Sequence, residues 1–188
     1  MSTGELSATQ SRTRGAIIEA AAVVLADDRT ATLPDIAKAA GVGRTTVHRY
    51  FPDRESLINA TILDSVQVVT NAVAAAAPED GCAIEAMRRV INAMISVGNR
   101  LLFLFDDPNV LRGLPPEVVP DNSYLTTLIE RGQAEGVFDP ESSTQWLEHA
   151  LYGLVMWACQ DSRDGLMPQH AAAPAVIRTF ERGVRCRD

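Results

Sequence analysis

The stretch from Leu33 to Phe51, LPDIAKAAGVGRTTVHRYF, constrains this chain more than any other. It reads as two short helices folded about a tight corner. Thr32 stands at the N-cap of the first, and Asp35, three residues on, completes a reciprocal capping arrangement. Pro34 is tolerated in a first turn whose N–H groups have no intrahelical partner. Ile36, Ala37 and Ala40 form the buried stripe, with Ala37 small enough for another helix to cross closely. Gly41 follows where the chain must leave the helix in a left-handed conformation. Val42 and Val47 plug the corner, while Arg44, Thr45, Thr46, His48 and Arg49 face outward, followed by Tyr50. Such a pattern is either a helical hairpin inside a core or a helix-turn-helix, which lays its second helix in the major groove of DNA. The outward run decides between them. Its donors suit phosphates and base edges and its Thr methyls suit thymine, whereas a packing hairpin has no use for such a face.

The surrounding residues extend the pattern. Ile17, Ala20 and Ala21 lie in an opening helix, Ile36-Ala37, Ala40-Gly41-Val42 and Thr46-Val47 in the motif itself, and Tyr50-Phe51, Glu55 and Leu57 about Pro52. Over about Arg12 to Ile62 this ensemble resembles the DNA-binding domain of the TetR family of bacterial transcriptional regulators. Three positions depart from the family's usual pattern: Gly43 stands for a Ser that caps the recognition helix, Thr45 for a Gly, and His48 for a phosphate-touching Tyr. The resemblance implies that Arg54 takes the place of a phosphate-contacting Lys, keeping the charge without lysine's compactness. Arg44, Thr45 and His48 are the candidates for base edges; Thr46, Arg49, Tyr50 and Arg54 complete the candidate DNA-binding set.

A chain of 188 residues can bury a real core, and 46% hydrophobic with 22% charged residues is ordinary for a globular protein. Net charge is −7, awkward for a DNA binder. Up to Leu63, however, the chain carries seven charges of each sign, so the whole deficit lies beyond. A neutral head with its basic groups on one face can still hold phosphate, while an acidic body is repelled and favours one docking orientation. Cys82, Cys159 and Cys186 lack metal-ligand spacing and are odd in number, which with no evident signal segment predicts reduced thiols and a cytoplasmic location. The apolar run Ala20 to Ala26 is too short to span a bilayer, and no membrane partner is expected.

Periodicity outlines the rest. Residues 1–11 read as a flexible arm, with Arg12 and Arg14 at its end either near phosphate or solvated. The first helix runs to about Ala26, with Ile17, Ala20, Ala21, Val24 and Leu25 inward. A fourth helix extends from Pro52-Asp53 to Ala77, stopped by Pro78. A fifth spans Cys82 to Phe105, and a short one lies around Val110. Others cover Asn122 to Ala134, Glu141 to Ser162, and from near Pro174 onward. No strand pattern appears. The expected fold is all-α, with about nine helices: an N-terminal three-helix helix-turn-helix domain (1–52) joined to a C-terminal helical ligand-binding and dimerisation domain (53–188).

In the segment Glu141 to Ser162, Leu147, Leu151, Leu154 and Ala158 make one stripe and Trp146, Ala150, Gly153 and Trp157 another beside it. A helix apolar over so wide an arc is buried on two sides. Paired with the amphipathic last helix it predicts a homodimer through the last two helices, which the resemblance also implies. A central helix in a monomer is the alternative. Two-fold symmetry would present two recognition helices to a palindromic operator.

No metal pattern involves His48, His149 or His170, and no phosphate-cradling loop or nucleophile elbow is present, so no cofactor, metal or enzymatic activity is expected. The resemblance further implies a cavity in the body that takes a small-molecule effector and releases DNA. Met94, Asn99, Phe103, Tyr124, His149 and Trp157 are the candidate lining residues, and their sparse charge points to a largely apolar effector. The resulting reading is a ligand-responsive repressor. A helical DNA-binding or interaction protein without ligand control is the alternative, and an enzyme a more distant one.

Overall fold

The computed structural model describes residues 7–105 and 123–184, together with Val110, Pro115 and Val118. Among the described residues there are nine helices and no strand: α1 (Ala8–Asp27), α2 (Leu33–Ala39), α3 (Arg44–Tyr50), α4 (Arg54–Ala75), α5 (Ala83–Ser96), α6 (Gly98–Phe105), α7 (Ser123–Ala134), α8 (Thr144–Arg163) and α9 (Gln169–Val184). Of the short helix expected around Val110, the residues on either side of Val110 lie outside the described residues.

α1 starts earlier than the arm expected over 1–11 allows. Ser7 and Gln10 form a reciprocal cap, in which the Gln10 side chain accepts from the Ser7 N–H at 2.8 Å and Ser7 Oγ accepts from the Gln10 N–H at 3.3 Å. Those two bonds satisfy N–H groups that would otherwise have no partner, and the helix is nucleated at Ala8. Residues 1–6 lie outside the described residues. α1 buries Ile17, Ile18, Ala21, Ala22 and Leu25, with Ala20 and Val24 at the margin of that face. It packs on α2, on α4 and, further along, on α6.

α4 is long and apolar enough by composition to cross a membrane. Its apolar stripe, Leu57, Ile62, Val66, Val69 and Val73, is nevertheless buried against α1, α5 and α6. The helix ends at Ala75, and Ala77 takes a left-handed φ of 46° just before Pro78. Arg89 closes this end: its guanidinium donates to the carbonyls of Ala76, Ala77 and Asp80 at 2.6–2.8 Å, neutralising acceptors that have no helical partner. Buried apolar residues from Ile17 to Val184 form one cluster, so the division expected between residues 52 and 53 runs through a continuous core.

Two helices differ from their expected extents. The single helix expected over Cys82 to Phe105 is broken at Val97 (φ −109°, ψ 24°) into α5 and α6. The cause is a close crossing of α8: a Cβ on Gly98 would stand 2.7 Å from Cys159 Sγ, so the chain turns where the residue without a side chain lets α8 in. α9 begins at Gln169, five residues before Pro174, and carries that proline inside the helix. Burial of Ala172 and Ala173 outweighs the one intrahelical bond that Pro174 forgoes on an exposed side.

α7 ends against the turn that carries Phe138. Phe138 is fully buried, meets Phe180 of α9 edge-on with ring centroids 6.0 Å apart, and lies flat over Gly132. A Cβ on Gly132 would fall 2.1 Å from the Phe138 ring. Gly132→Ala is therefore expected to lower stability by about 1–3 kcal/mol through overpacking, measured as a drop in the urea midpoint with unchanged slope.

Candidate nucleic-acid interface and effector cavity

The corner between α2 and α3 is built as its sequence demands. Gly41 sits at φ 66°, the Val42 N–H bonds the Ala37 carbonyl at 3.0 Å, and the Gly41 N–H bonds that of Lys38 at 3.2 Å. This pair of bonds is the Schellman termination, which needs a left-handed residue between them. At the other end of α2, Asp35 accepts from both the Thr32 hydroxyl (2.5 Å) and the Thr32 N–H (2.9 Å). Those two bonds, the hydroxyl first, hold the Asp35 carboxyl below the usual carboxylate range.

Val47 is fully buried and anchors α3, and Phe51 is buried just beyond it. Arg14 of α1 stacks over the Phe51 ring at 5.4 Å, so this arginine braces the end of the recognition helix. With Val47 turned inward, Arg44, Thr45, His48 and Arg49 are exposed, and Thr46 and Tyr50 are half-buried at the edges. Positions 44, 45, 48 and 49 share one helical face, two adjacent pairs one turn apart. The Arg49 guanidinium lies 5.0 Å from the Tyr50 ring centroid. The N-cap residue of α3 is Gly43, in extended conformation with no side-chain acceptor for the first turn.

Arg54 is placed differently from the expectation that it holds phosphate. Its Nε donates to the Ala31 carbonyl at 3.0 Å and Nη2 to that of Arg29, both in the loop joining α1 to α2. The Arg29 side chain ties the loop to α6, and the half-buried Arg54 guanidinium supplies donors to its carbonyls. Sequence spacing located the charge but not the carbonyls 23 and 25 residues upstream.

The candidate effector residues are scattered. Met94 is buried beside a partly open apolar cavity of about 130 Å³ that it lines with Leu101, Phe105, Tyr152, Val155 and Met156. Tyr124 reaches this cavity's edge through a hydrogen bond with the Tyr152 hydroxyl; burial, first of all, raises the pKa of both phenols, so neither ionises near neutral pH. Glu148 lies nearby and accepts from Thr126 Oγ1. Phe103 is buried elsewhere, under the Arg29 guanidinium at 5.1 Å. Asn99 is exposed at the start of α6. His149 and Trp157 lie on the outer side of α8, against α9, together with Trp146, Ala150 and Gly153. They are not in the interior cavity, because α8 turns Trp157 about half a revolution and His149 about a quarter of one away from Tyr152 and Val155. Tyr152 and Val155 were missed from sequence. The available signal was the spacing of Glu148, Tyr152, Val155 and Met156, a mixed polar and apolar face on the inner side of α8.

With this geometry in view, three comparisons are informative. The family profile described as "Bacterial regulatory proteins, tetR family" matches residues 17–61. The transcriptional repressor LfrR of Mycolicibacterium smegmatis is 34% identical over 182 residues, covering 95% of this chain and 93% of that protein. The chain belongs to the TetR family. Crystal structures of LfrR from Mycobacterium smegmatis agree over the full length. The first superposes with a TM-score of 0.75 at 33% identity, covering 96% of this chain and 100% of LfrR. The complex with proflavine gives 0.70 at 32%, covering 94% and 99%.

As a TetR-family member the protein is a DNA-binding transcriptional regulator and not an enzyme. The family's helix-turn-helix therefore corresponds to α2 and α3, and its ligand-responsive body to the helices that follow. Arg54→Ala is expected to cost about 1.5–3 kcal/mol of stability, because two carbonyls lose a charged donor, with the loss visible in urea unfolding without DNA. A variant that unfolds like the parent would return Arg54 to the phosphate role.

Proposed function

We propose that this regulator is a homodimeric repressor that binds a palindromic operator in the cytoplasm and is released by a small, largely apolar aromatic effector. The observation that carries the reading is the exposed face of α3, Arg44, Thr45, His48 and Arg49, held outward by fully buried Val47. Arg44, Thr45 and His48 are assigned to base edges, and Thr46, Arg49 and Tyr50 to phosphates. Arg54 acts one step back, by holding the loop that sets the attitude of α2.

Dimerisation is assigned to α8 and α9. Trp146 is 64% exposed and Trp157 70%, and small Ala150 and Gly153 between them open a groove of about 440 Å³ floored by α9. Two large indoles left in water beside small residues suit a second copy of the same face packed as a four-helix interface. The two-fold axis then presents two α3 helices to half-sites ~34–36 Å apart.

Effector binding is assigned to the interior cavity. At about 130 Å³ it is smaller than a drug-sized site, so entry of a ring system must displace side chains. Met94 and Met156 are the adaptable ones. Leu101 and Phe105, by contrast, belong to α6, which packs directly on α1. Expansion of the cavity thus pushes on the helix that supports the head, and a ligand preferring the expanded state lowers operator affinity. The LfrR complex with proflavine supports an aromatic effector of this kind.

Two measurements test the proposal. In gel shifts on DNA upstream of its own gene, Arg44→Ala should cost ~1–3 kcal/mol of binding and relax preference at one base pair. Undiminished affinity would remove α3 from the groove. Trp157→Glu should yield monomers in sedimentation, because burying a charge without a partner in the interface is unfavourable. A variant that stays dimeric would move the interface elsewhere.

A further inference from the structure

Interior cavity and reading head meet in one short helix at the seam between head and body. α6 is eight residues long, and the break at Val97 detaches it from α5. Leu101 and Phe105, one turn apart, line the interior cavity. Arg100 lies about a quarter of a revolution round the helix from Leu101 and reaches toward the head. Its Nη2 donates to Glu19 of α1 at 2.6 Å and lies 2.8 Å from Asp64 of α4, and its Nη1 donates to the Ser65 hydroxyl at 3.1 Å. Those two helices frame the reading corner, since α1 packs on α2 and α4 follows α3 in the chain.

Two kinds of contact join α6 to α1 and α4, and they respond differently to movement. Apolar packing, to which buried Leu102, Phe103 and Leu104 contribute, is non-directional, so one helix can slide over another and repack. Charge-assisted hydrogen bonds are short and directional. Lengthening them at a site closed to water strands a buried charge, so they resist the same slide. Arg29 makes a further polar tie, to the Phe103 carbonyl, but it belongs to the α1–α2 loop. Arg100 holds α1 and α4 at once, and does so from the residue next to a cavity wall.

We infer that Arg100 is the positioning residue that couples the interior cavity to DNA binding: when Leu101 and Phe105 are displaced, α6 carries the guanidinium with it, and the guanidinium carries α1 and α4. The inference rests on the reading that the interior cavity controls the head, and names the side chain through which its expansion is felt. Without Arg100, α6 slides under the head and the head keeps its attitude. Glu19 and Asp64 both retain contact with water, so a neutral side chain at position 100 leaves two solvated carboxylates and no stranded charge. Arg100→Met therefore removes the tie without removing the fold.

A double-mutant cycle on the full-length protein tests this without any ligand, reading affinity for DNA upstream of its own gene by fluorescence anisotropy. Val155→Phe fills the cavity from α8 and imitates its expansion; Met156→Trp does the same from the cavity's half-buried side and stands in if the first variant folds poorly. In the parent, either filler should weaken DNA binding by about tenfold, a usual size for coupled sites. In the Arg100→Met background the same filler should weaken it by less than about twofold, and Arg100→Lys, which keeps a charge within reach of one carboxylate, should fall between. Any loss from Arg100→Met itself cancels in the cycle, so a merely structural role would leave the two effects equal. Equal loss in both backgrounds would overturn the role of Arg100 and leave the cavity in control of the head. Fillers that leave DNA binding of the parent unchanged would overturn both.

Discussion

The buried guanidinium of Arg100 is the interaction on which the relation of head to body depends. Only 5% exposed, it reaches from α6 to Glu19 of α1 and to Asp64 and Ser65 of α4, the serine hydroxyl at 3.1 Å. A charge this far from water is tolerable only when fully paired, and its partners come from two other helices at once. α1 carries the head and α4 leads out of it, so the pairing fixes the angle at which the reading helix is presented. Both carboxylates keep substantial solvent contact, so the node contributes more to geometry than to stability.

Two further arginines tie the same seam. Arg29 lies over the Phe103 ring and donates to the Phe103 carbonyl, while Arg163 donates to the Ala26 carbonyl at the end of α1. Each supplies donors to a carbonyl at a helix terminus, where the backbone has acceptors to spare. The head is thereby seated on α6 and α8, the two helices that also line the interior cavity. Displacement inside the body and reorientation of the head share the same levers, which is what a ligand-responsive DNA-binding regulator requires.

Legibility in the sequence followed the range of the interactions. The α2–α3 corner was readable because capping, the left-handed glycine and the inward valines act within about ten residues of one another. Its exposed face followed from the same local periodicity. The α5–α6 break was not readable, because its cause is Cys159 approaching Gly98 from more than sixty residues away. Pro174 misled as a helix start because burial of Ala172 and Ala173 is a tertiary effect. The Arg54 charge was readable but its hold on the Ala31 carbonyl was not, because that acceptor lies 23 residues upstream.

By itself, the sequence determined the all-α class, the helix-turn-helix and which side chains of α3 face solvent, since helical period and turn chemistry depend on near neighbours alone. It also determined that α8 is apolar on two sides. Only the tertiary structure decided which of those sides looks inward: Leu147, Leu151 and Ala158 into the core, Trp146 and Trp157 out into water. The reason is that a hydrophobic stripe specifies burial without specifying against what, and the partner is chosen by packing among helices far apart in the chain.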